Sequence, residues 1–498
     1  MITRSDVILR ADPSRVLARL FVPGHELPTE TESRATGVLA RILHLPEDAV
    51  RGALAHVRAE YLGRHRDLPA ILAAHYEQIA HRIPDGDPLT ADRKALLGAT
   101  FTNEYSIEGA ALFNPSVVAH PDQSDLPTGA VRFVMSLRAV GEGHISSIEF
   151  RTGVWGPGPT LRLDDPGRHV EQGAIARTRH DRDVFADRLR EEGADTESTR
   201  YLVSRLGAEF DYAELESALH ELHGQQVTRH GGAHTDELAR SLVRNSYRVV
   251  FDIDSTLPER VLWPYGPAES HGMEDARFVR FIDDDAAVRY LAPYTAFDGN
   301  HIAPQLISTT DFRTFTISQF AGPGAKNKGL ALFPRRIGGR YFALSRWDRE
   351  NCSITSSPDG RRWEDGPQIY EPREPYELIQ TGNCGSPLET EAGWLVLTHA
   401  VGPMREYTIG ALLLDLDDPT KVLGRLREPL MRADEDERNG YVPNVVYSCG
   451  AMVHDGSLLL PYGVSDASVR FAFLDVAALL DRLTTGDSPA TMPANNAA

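Results

Sequence analysis

The chain has 498 residues, 41% of them hydrophobic, and a formal net charge of −19. That length and apolar content suffice for a large buried core shared by two or three structural units. The acidic balance has no basic stripe to offset it, which argues against nucleic acid as a partner and fits a soluble protein. The opening residues Met1-Ile2-Thr3-Arg4-Ser5-Asp6 lack a signal-like apolar core, and no apolar run is long enough to span a bilayer. Cys352, Cys384 and Cys449 are odd in number and far apart. They read as reduced thiols, so the expected compartment is the cytoplasm, with no membrane partner.

In chain order, helical periodicity comes first. Val16, Leu17 and Leu20, then Leu39, Leu43 and Leu45, then Ala53, Leu54 and Val57 fall at helix-like spacings. They predict a helical amino-terminal domain over 1–95, with an oligomerisation arm as its functional alternative. A strand unit follows, from Ser116-Val117-Val118 through Val131-Arg132-Phe133-Val134-Met135 to Ile145–Phe150. A second helical segment, about 160–245, interrupts the strands. Its histidines His220, His223, His230 and His234 raise a metal reading, but Gly231-Gly232 should break any helix joining the last two, and no four-ligand spacing results. No metal site is expected.

From Gly272 onward one plan recurs: a short apolar strand, a tight turn, a second strand, then a more polar pair. The turns are Asp283-Asp284-Asp285, Gly338-Gly339-Arg340, Glu391-Ala392-Gly393 and His454-Asp455-Gly456. A period of about 55 to 60 residues with such turns predicts a β-propeller of four-stranded blades, five in number, over 96–485. A β-sandwich is the rival, but it would not repeat the turn chemistry so regularly. The small, polar stretch 486–498 reads as a disordered tail.

The richest chemistry lies in Gly272-Met273-Glu274-Asp275-Ala276-Arg277. Side chains 274 and 275 of an extended segment point to opposite faces. One carboxylate can then face a cavity while the other is tied by Arg277 or by backbone. A single aimed carboxyl is what glycosidic cleavage asks of its general acid. Taken alone, the same motif is also a surface turn with a salt bridge.

Several further motifs stand in order with this one: Tyr294-Thr295-Ala296-Phe297-Asp298-Gly299, Lys328-Gly329-Leu330-Ala331-Leu332-Phe333-Pro334, Gly393-Trp394-Leu395-Val396-Leu397-Thr398-His399, Val442-Pro443-Asn444 and Tyr462-Gly463-Val464-Ser465-Asp466. Over about 98–480 the chain resembles glycoside hydrolase family 130, the β-mannoside phosphorylases and their hydrolytic relatives, which are five-bladed propellers. The amino-terminal helices and the insertion mark a longer subgroup.

The resemblance implies that Asp275 is the catalytic acid, delivering its proton through a mannosyl hydroxyl. Phosphate would be the nucleophile and co-substrate, with no other cofactor, and a cationic pocket would desolvate and aim it. Lys328, Arg346, Asn351, His399 and Tyr407 stand at positions expected to bind that phosphate. Asn114, Arg151, Asp298 and Asp466 are expected to reach the sugar. The implied activity is inverting phosphorolysis of a β-mannoside to α-mannose 1-phosphate. The alternative is an inverting β-mannosidase using water, with Glu389, Glu391 or Glu437 as its second carboxylate. The linkage and acceptor are not legible, and a homo-oligomer built through the helical additions is possible on this reading.

Overall fold

A computed structural model describes residues 2–24, 34–84, 88–194, 196–224 and 232–485. The expected tail at 486–498 and His230 of the candidate metal set lie outside these residues. The chain divides into two compact bodies, one of Asp12–Gly109 with Gly167–Glu171, the other of the remainder.

Among its described residues the smaller body carries four α-helices, Arg34–Leu43, Glu47–Tyr61, Leu68–Ile79 and Ala91–Thr100, and a ribbon pairing Val16–Leu20 with Thr102–Ser106. Its helices start where the sequence can cap them. Asp67 accepts from the Ala70 N–H and Thr90 from the Arg93 N–H, filling donors that a helix leaves open at its first turn. Ala35, Leu39, Val50, Ile79, Leu97 and Phe101 form its core. The third and fourth helices touch closely because Gly98 has no side chain; a Cβ there would fall 2.0 Å from the Leu72 carbonyl oxygen.

The larger body is mostly antiparallel sheet, arranged as five meanders. The first runs Ala111–Ala119, Val131–Val140, Ser146–Trp155 and Leu161–Leu163. In the second, Gly272–Glu274 and Val279–Ile282 both pair with Val288–Phe297, followed by Ile302–Thr309 and Thr314–Gln319. The third is Ala331–Leu332, Tyr341–Ser345, Cys352–Ser357 and Gln368–Tyr370. In the fourth, Gln380–Asn383 and Leu388–Thr390 pair with Gly393–Val401, then Tyr407–Leu414 and Val422–Arg425. The fifth places Val446–Tyr447 and Met452–His454 against Ser457–Val464, then Ser468–Asp475.

The outermost strand of the fifth meander comes from the start of the chain. Ile2–Arg10 pairs antiparallel with Ser468–Asp475, with Ile2 opposite Leu474 and Leu9 opposite Val469. The expectation of a helical domain from residue 1 is corrected here. Residues 2–10 alternate between half-buried and exposed, as a strand requires, and Val7 and Leu9 pack on the core of the first and fifth meanders.

Apolar clusters lie between successive meanders. Phe150 and Val134 of the first meet Met273 and Tyr290 of the second. Phe281 and Leu291 of the second meet Leu332 and Tyr341 of the third. Phe333 and Leu344 meet Trp394 and Leu412 of the fourth. Leu395 and Ile409 meet Leu458 and Tyr462 of the fifth. Leu459 and Phe471 of the fifth return to Leu112 and Phe133 of the first. The five meanders therefore share their cores pairwise in a closed cycle. Each fully buried Leu or Phe contributes about 1.5–3 kcal/mol by leaving water, so the cycle is held chiefly by these seams.

A buried glutamate precedes the first strand of three meanders. Glu269 accepts from Tyr294 Oη at 2.6 Å and from the Tyr265 and Gly266 N–H groups at 2.9 Å. Glu377 accepts from Tyr370 and from the Arg373 and Glu374 N–H groups. Glu437 accepts from Tyr462 Oη at 2.6 Å and from the Asp434 N–H. Each fixes the entry loop to its own meander or the neighbouring one.

The insertion between the first two meanders forms helices Arg182–Glu191, Glu197–Arg205, Tyr212–Gly224 and Gly232–Arg244 around Phe185, Leu189, Leu202, Leu219 and Leu242. Among the described residues no cluster of three metal-ligating side chains is present; His223 instead bonds Asp236. No helix among them is long and apolar enough to cross a membrane.

Candidate active site

All five meanders contribute to one cavity of about 410 Å³ in the larger body, within the usual range for small-molecule sites. Its lining includes Asn114, Arg138, His144, Glu274, Asp275, Lys328, Arg346, His399, Arg405, Tyr407, Tyr441, Tyr447 and Asp466.

The carboxylate centre is placed by backbone constraints. Gly272 has φ +148°, and a Cβ on it would lie 2.9 Å from the Ser146 nitrogen, so only glycine lets this strand abut the first meander. Asp275 then takes φ +54°, a left-handed conformation that aspartate tolerates better than most residues. An extended segment would send Glu274 and Asp275 to opposite faces. The left-handed residue breaks that alternation, and both carboxylates line the same cavity.

Their partners differ from those expected. Arg138 Nη2 holds Glu274 Oε1 at 2.6 Å, and its Nη1 lies 3.6 Å from Asp275 Oδ1. Asn114 Nδ2 donates to Asp275 Oδ1 at 2.7 Å. Arg277, 2% exposed, does not bond the Asp275 carboxylate. It donates to the Asp275 carbonyl at 2.9 Å, the Cys384 carbonyl at 2.8 Å and Tyr447 Oη at 2.9 Å, tying the second, fourth and fifth meanders together.

The electrostatics follow. Burial alone would push the Asp275 carboxyl up, but Arg138, Arg277 and Lys328, with the Asn114 hydrogen bond, hold it down at about 2. Asp275 is thus ionised at neutral pH. Glu274 is displaced upward, by burial and by the charge of Asp275 against the pull of Arg138. Asp466, at φ +50°, is raised to about 6 by burial and then by Asp275. Lys328 is lowered by burial, with Asp275 opposing that shift.

Arg346 is buried across the cavity from these acids. It lies between two glycines: a Cβ on Gly329 would meet its Cγ at 2.9 Å, and one on Gly382 its Cδ at 2.8 Å. Its Nη1 donates to His399 Nε2 at 2.6 Å, and His399 Nδ1 donates to the Asn383 carbonyl at 3.1 Å. That arrangement fixes the neutral Nδ1–H tautomer. Burial and then the charge of Arg346 keep the imidazole well below its ordinary value. Both ring nitrogens are occupied, so His399 orients Arg346 and has no N–H to offer a ligand.

Of the residues singled out from sequence, Asp275, Asn114, Lys328, Arg346, His399, Tyr407 and Asp466 converge on the cavity. Three do not line it. Asn351 donates to Asp348 Oδ2 at 2.6 Å, stabilising its own turn. Arg151 is buried beside Glu149, 3.3 Å away, on a strand facing the core. Asp298 closes a turn by accepting from the Asn300 and His301 N–H groups, at 2.8 and 2.6 Å, and borders a separate cavity. The proposed second carboxylates are also elsewhere. Glu389 pairs with Arg335 at 2.6 Å, Glu391 sits in an exposed turn, and Glu437 is buried under Tyr462.

Arg138 was missed by sequence reading, although a charged residue inside the apolar run Val131–Val140 is a usable signal. Two matching turns were missed as well. Gly141–Ile145 and Gly402–Glu406 each close through a first-residue N–H to fifth-residue carbonyl bond, with left-handed third and fourth residues. They carry His144 and Arg405 to the cavity.

The sequence profile described as β-1,4-mannooligosaccharide phosphorylase, glycoside hydrolase family 130, matches residues 253–485. A β-1,2-mannobiose phosphorylase of Listeria innocua is 33% identical over 46% of this chain and 65% of its own length, just under two thirds. A β-1,4-mannooligosaccharide phosphorylase of Ruminococcus albus is 30% identical over 49% of this chain and 73% of its own. Among solved structures, a β-1,2-mannobiose phosphorylase from Listeria innocua in complex with β-1,2-mannobiose is similar over 76% of this chain and 93% of its own, at 24% identity and TM-score 0.45. By profile and relatives together, the chain belongs to glycoside hydrolase family 130.

Proposed function

We propose that this protein is an inverting phosphorylase that cleaves a β-mannoside with inorganic phosphate, giving α-mannose 1-phosphate and a shortened acceptor. We read its closed cycle of meanders as a five-bladed β-propeller with the reaction at its centre. The observation that carries the reading is Arg346. Its Nε is buried without a hydrogen-bond partner among the described residues, in a slot built of two glycines. A buried guanidinium N–H left open is costly unless a water or an anion completes it, and beside Lys328 an anion is favoured. Lys328 lines the same cavity and supplies a second charge. The names of the two sequence relatives, both mannoside phosphorylases, support the substrate class.

The chemistry balances without a second catalytic base. An oxygen of hydrogen phosphate attacks the mannosyl anomeric carbon, the bond to the acceptor oxygen breaks on the opposite face, and the proton first carried by phosphate ends on the acceptor. No cofactor is called for beyond this co-substrate. Asp275 mediates the transfer by way of a mannosyl hydroxyl. Its low value reflects the surrounding cations Arg138, Arg277 and Lys328. A phosphate dianion beside Lys328 and Arg346 offsets that field and lets Asp275 take up a proton. The hydrolase reading retains one supporting feature, since the cavity holds two carboxylates besides Asp275, those of Glu274 and Asp466.

The test is to incubate β-1,2- and β-1,4-mannobiose with and without phosphate. The expected result is α-mannose 1-phosphate formed only when phosphate is present. Free mannose as the sole sugar product, at a rate indifferent to phosphate, would establish the hydrolase instead.

A further inference from the structure

We infer that Asn383 is a positioning residue that holds Lys328 and Arg346 at a fixed spacing, an inference that rests on the phosphorylase reading above. Asn383 ends the strand Gln380–Asn383 and is completely buried. It does not line the cavity. Its Nδ2 donates to the Gly329 carbonyl at 2.8 Å. Its own carbonyl accepts from His399 Nδ1 at 3.1 Å, and His399 Nε2 accepts from Arg346 Nη1 at 2.6 Å. One residue therefore reaches the loop of Lys328 on one side and the partner of Arg346 on the other.

Lys328 needs such a hold. Both its neighbours are left-handed, Asn327 at φ +62° and Gly329 at φ +97°, and glycine in particular has many other conformations open to it. Asn327 Nδ2 gives the loop a second tie, to the Trp347 carbonyl at 3.1 Å, beside Arg346. The orientation of the Asn383 amide is set chemically, because the flipped form would put two oxygens face to face at Gly329. A side-chain substitution at 383 leaves the backbone carbonyl toward His399 in place and cuts only the tie to the Lys328 loop.

The test uses two variants of the full chain. Asn383→Asp is nearly isosteric and sets a carboxylate oxygen against the Gly329 carbonyl. Asn383→Ala removes the tie and leaves a small void. Binding of inorganic phosphate to the free protein is measured by calorimetry, beside the apparent KM values for phosphate and mannoside. Both variants should bind phosphate about tenfold more weakly, as expected for one lost hydrogen bond supporting a charged contact. The KM for mannoside should stay within about twofold, because the defect is confined to one substrate. Lowering the pH should restore phosphate binding to Asn383→Asp relative to wild type, as its protonated carboxyl regains a donor for Gly329. Wild-type phosphate affinity in Asn383→Ala, or a proportional rise in both KM values, would overturn the inference alone. Failure of the wild-type protein to bind phosphate would overturn the phosphorylase reading together with it.

Discussion

Asn114 Nδ2 sits 2.7 Å from Asp275 Oδ1, and both residues are left-handed, at φ +50° and +54°. Asn114 lies in the first strand of one meander and Asp275 directly after the first strand of the next, and each leaves the extended path. Backbone of this kind costs about 1–3 kcal/mol per residue and persists where surrounding structure enforces it, commonly at functional sites. Here Arg277 enforces it by gripping the Asp275 carbonyl at 2.9 Å.

Replacing Asp275 by Asn should abolish turnover while the fold survives. Loss of a group that moves the proton costs about 10²- to 10⁴-fold. The check is kcat on the best mannoside, with circular dichroism and thermal melting to confirm folding. A variant with near-normal kcat would remove Asp275 from the reaction.

Gly382→Ala should impair phosphate use more than mannoside binding. The new Cβ would lie 2.8 Å from both Arg346 Cδ and His399 Cε1, so these two buried side chains would have to shift from their present positions. Overpacking of this sort typically costs about 1–3 kcal/mol. The displaced guanidinium should appear as an increased KM for phosphate at little-changed KM for mannoside.

Asp466 should give a titration in the pH profile of kcat/KM near its value of about 6, absent in Asp466→Asn. The stability consequence has a definite sign. Because the folded carboxyl is raised above its ordinary value, the native state binds the extra proton between about 4 and 6. Stability contributed by this group falls as pH rises through that window. Asp466→Asn should therefore raise the melting temperature at pH 7 and change it little at about pH 4. Equal effects at both pH values would contradict the assignment.

Deleting residues 2–10 should destabilise the whole larger body. The deletion bares the edge of Ser468–Asp475 and uncovers the core beneath Val7 and Leu9. An unpaired edge beside exposed apolar surface favours association between chains. A lowered melting temperature and concentration-dependent aggregation are expected, whereas an unchanged melt would mean that the cycle closes without this strand.

Much of the architecture was legible in local chemistry. Turns such as Gly338-Gly339 of the third meander and Asp455-Gly456 of the fifth stand between short apolar runs, while the fourth turns at Gly393 and the second at Asp283-Asp284-Asp285. The Glu274-Asp275 pair was visible as adjacent carboxylates beside Arg277, whereas Lys328 and Arg346 stood out only through the resemblance to a known family. Tertiary structure decided the rest. Ile2 opposite Leu474 is a pairing across nearly the entire chain, and no local pattern encodes a partner so distant. The same holds for reach into the site: Arg138 and Arg151 lie on adjacent strands of one meander, but only Arg138 enters the cavity. Sheet position and face, rather than residue type, separate them. Asp298 and Asp466 divide likewise, one spent on its own turn and the other lining the cavity with Asp275. The sequence by itself determined strand, turn and charge, because those depend on near neighbours. Which charges meet was decided by the closure of five meanders on one another, a property of the packed whole.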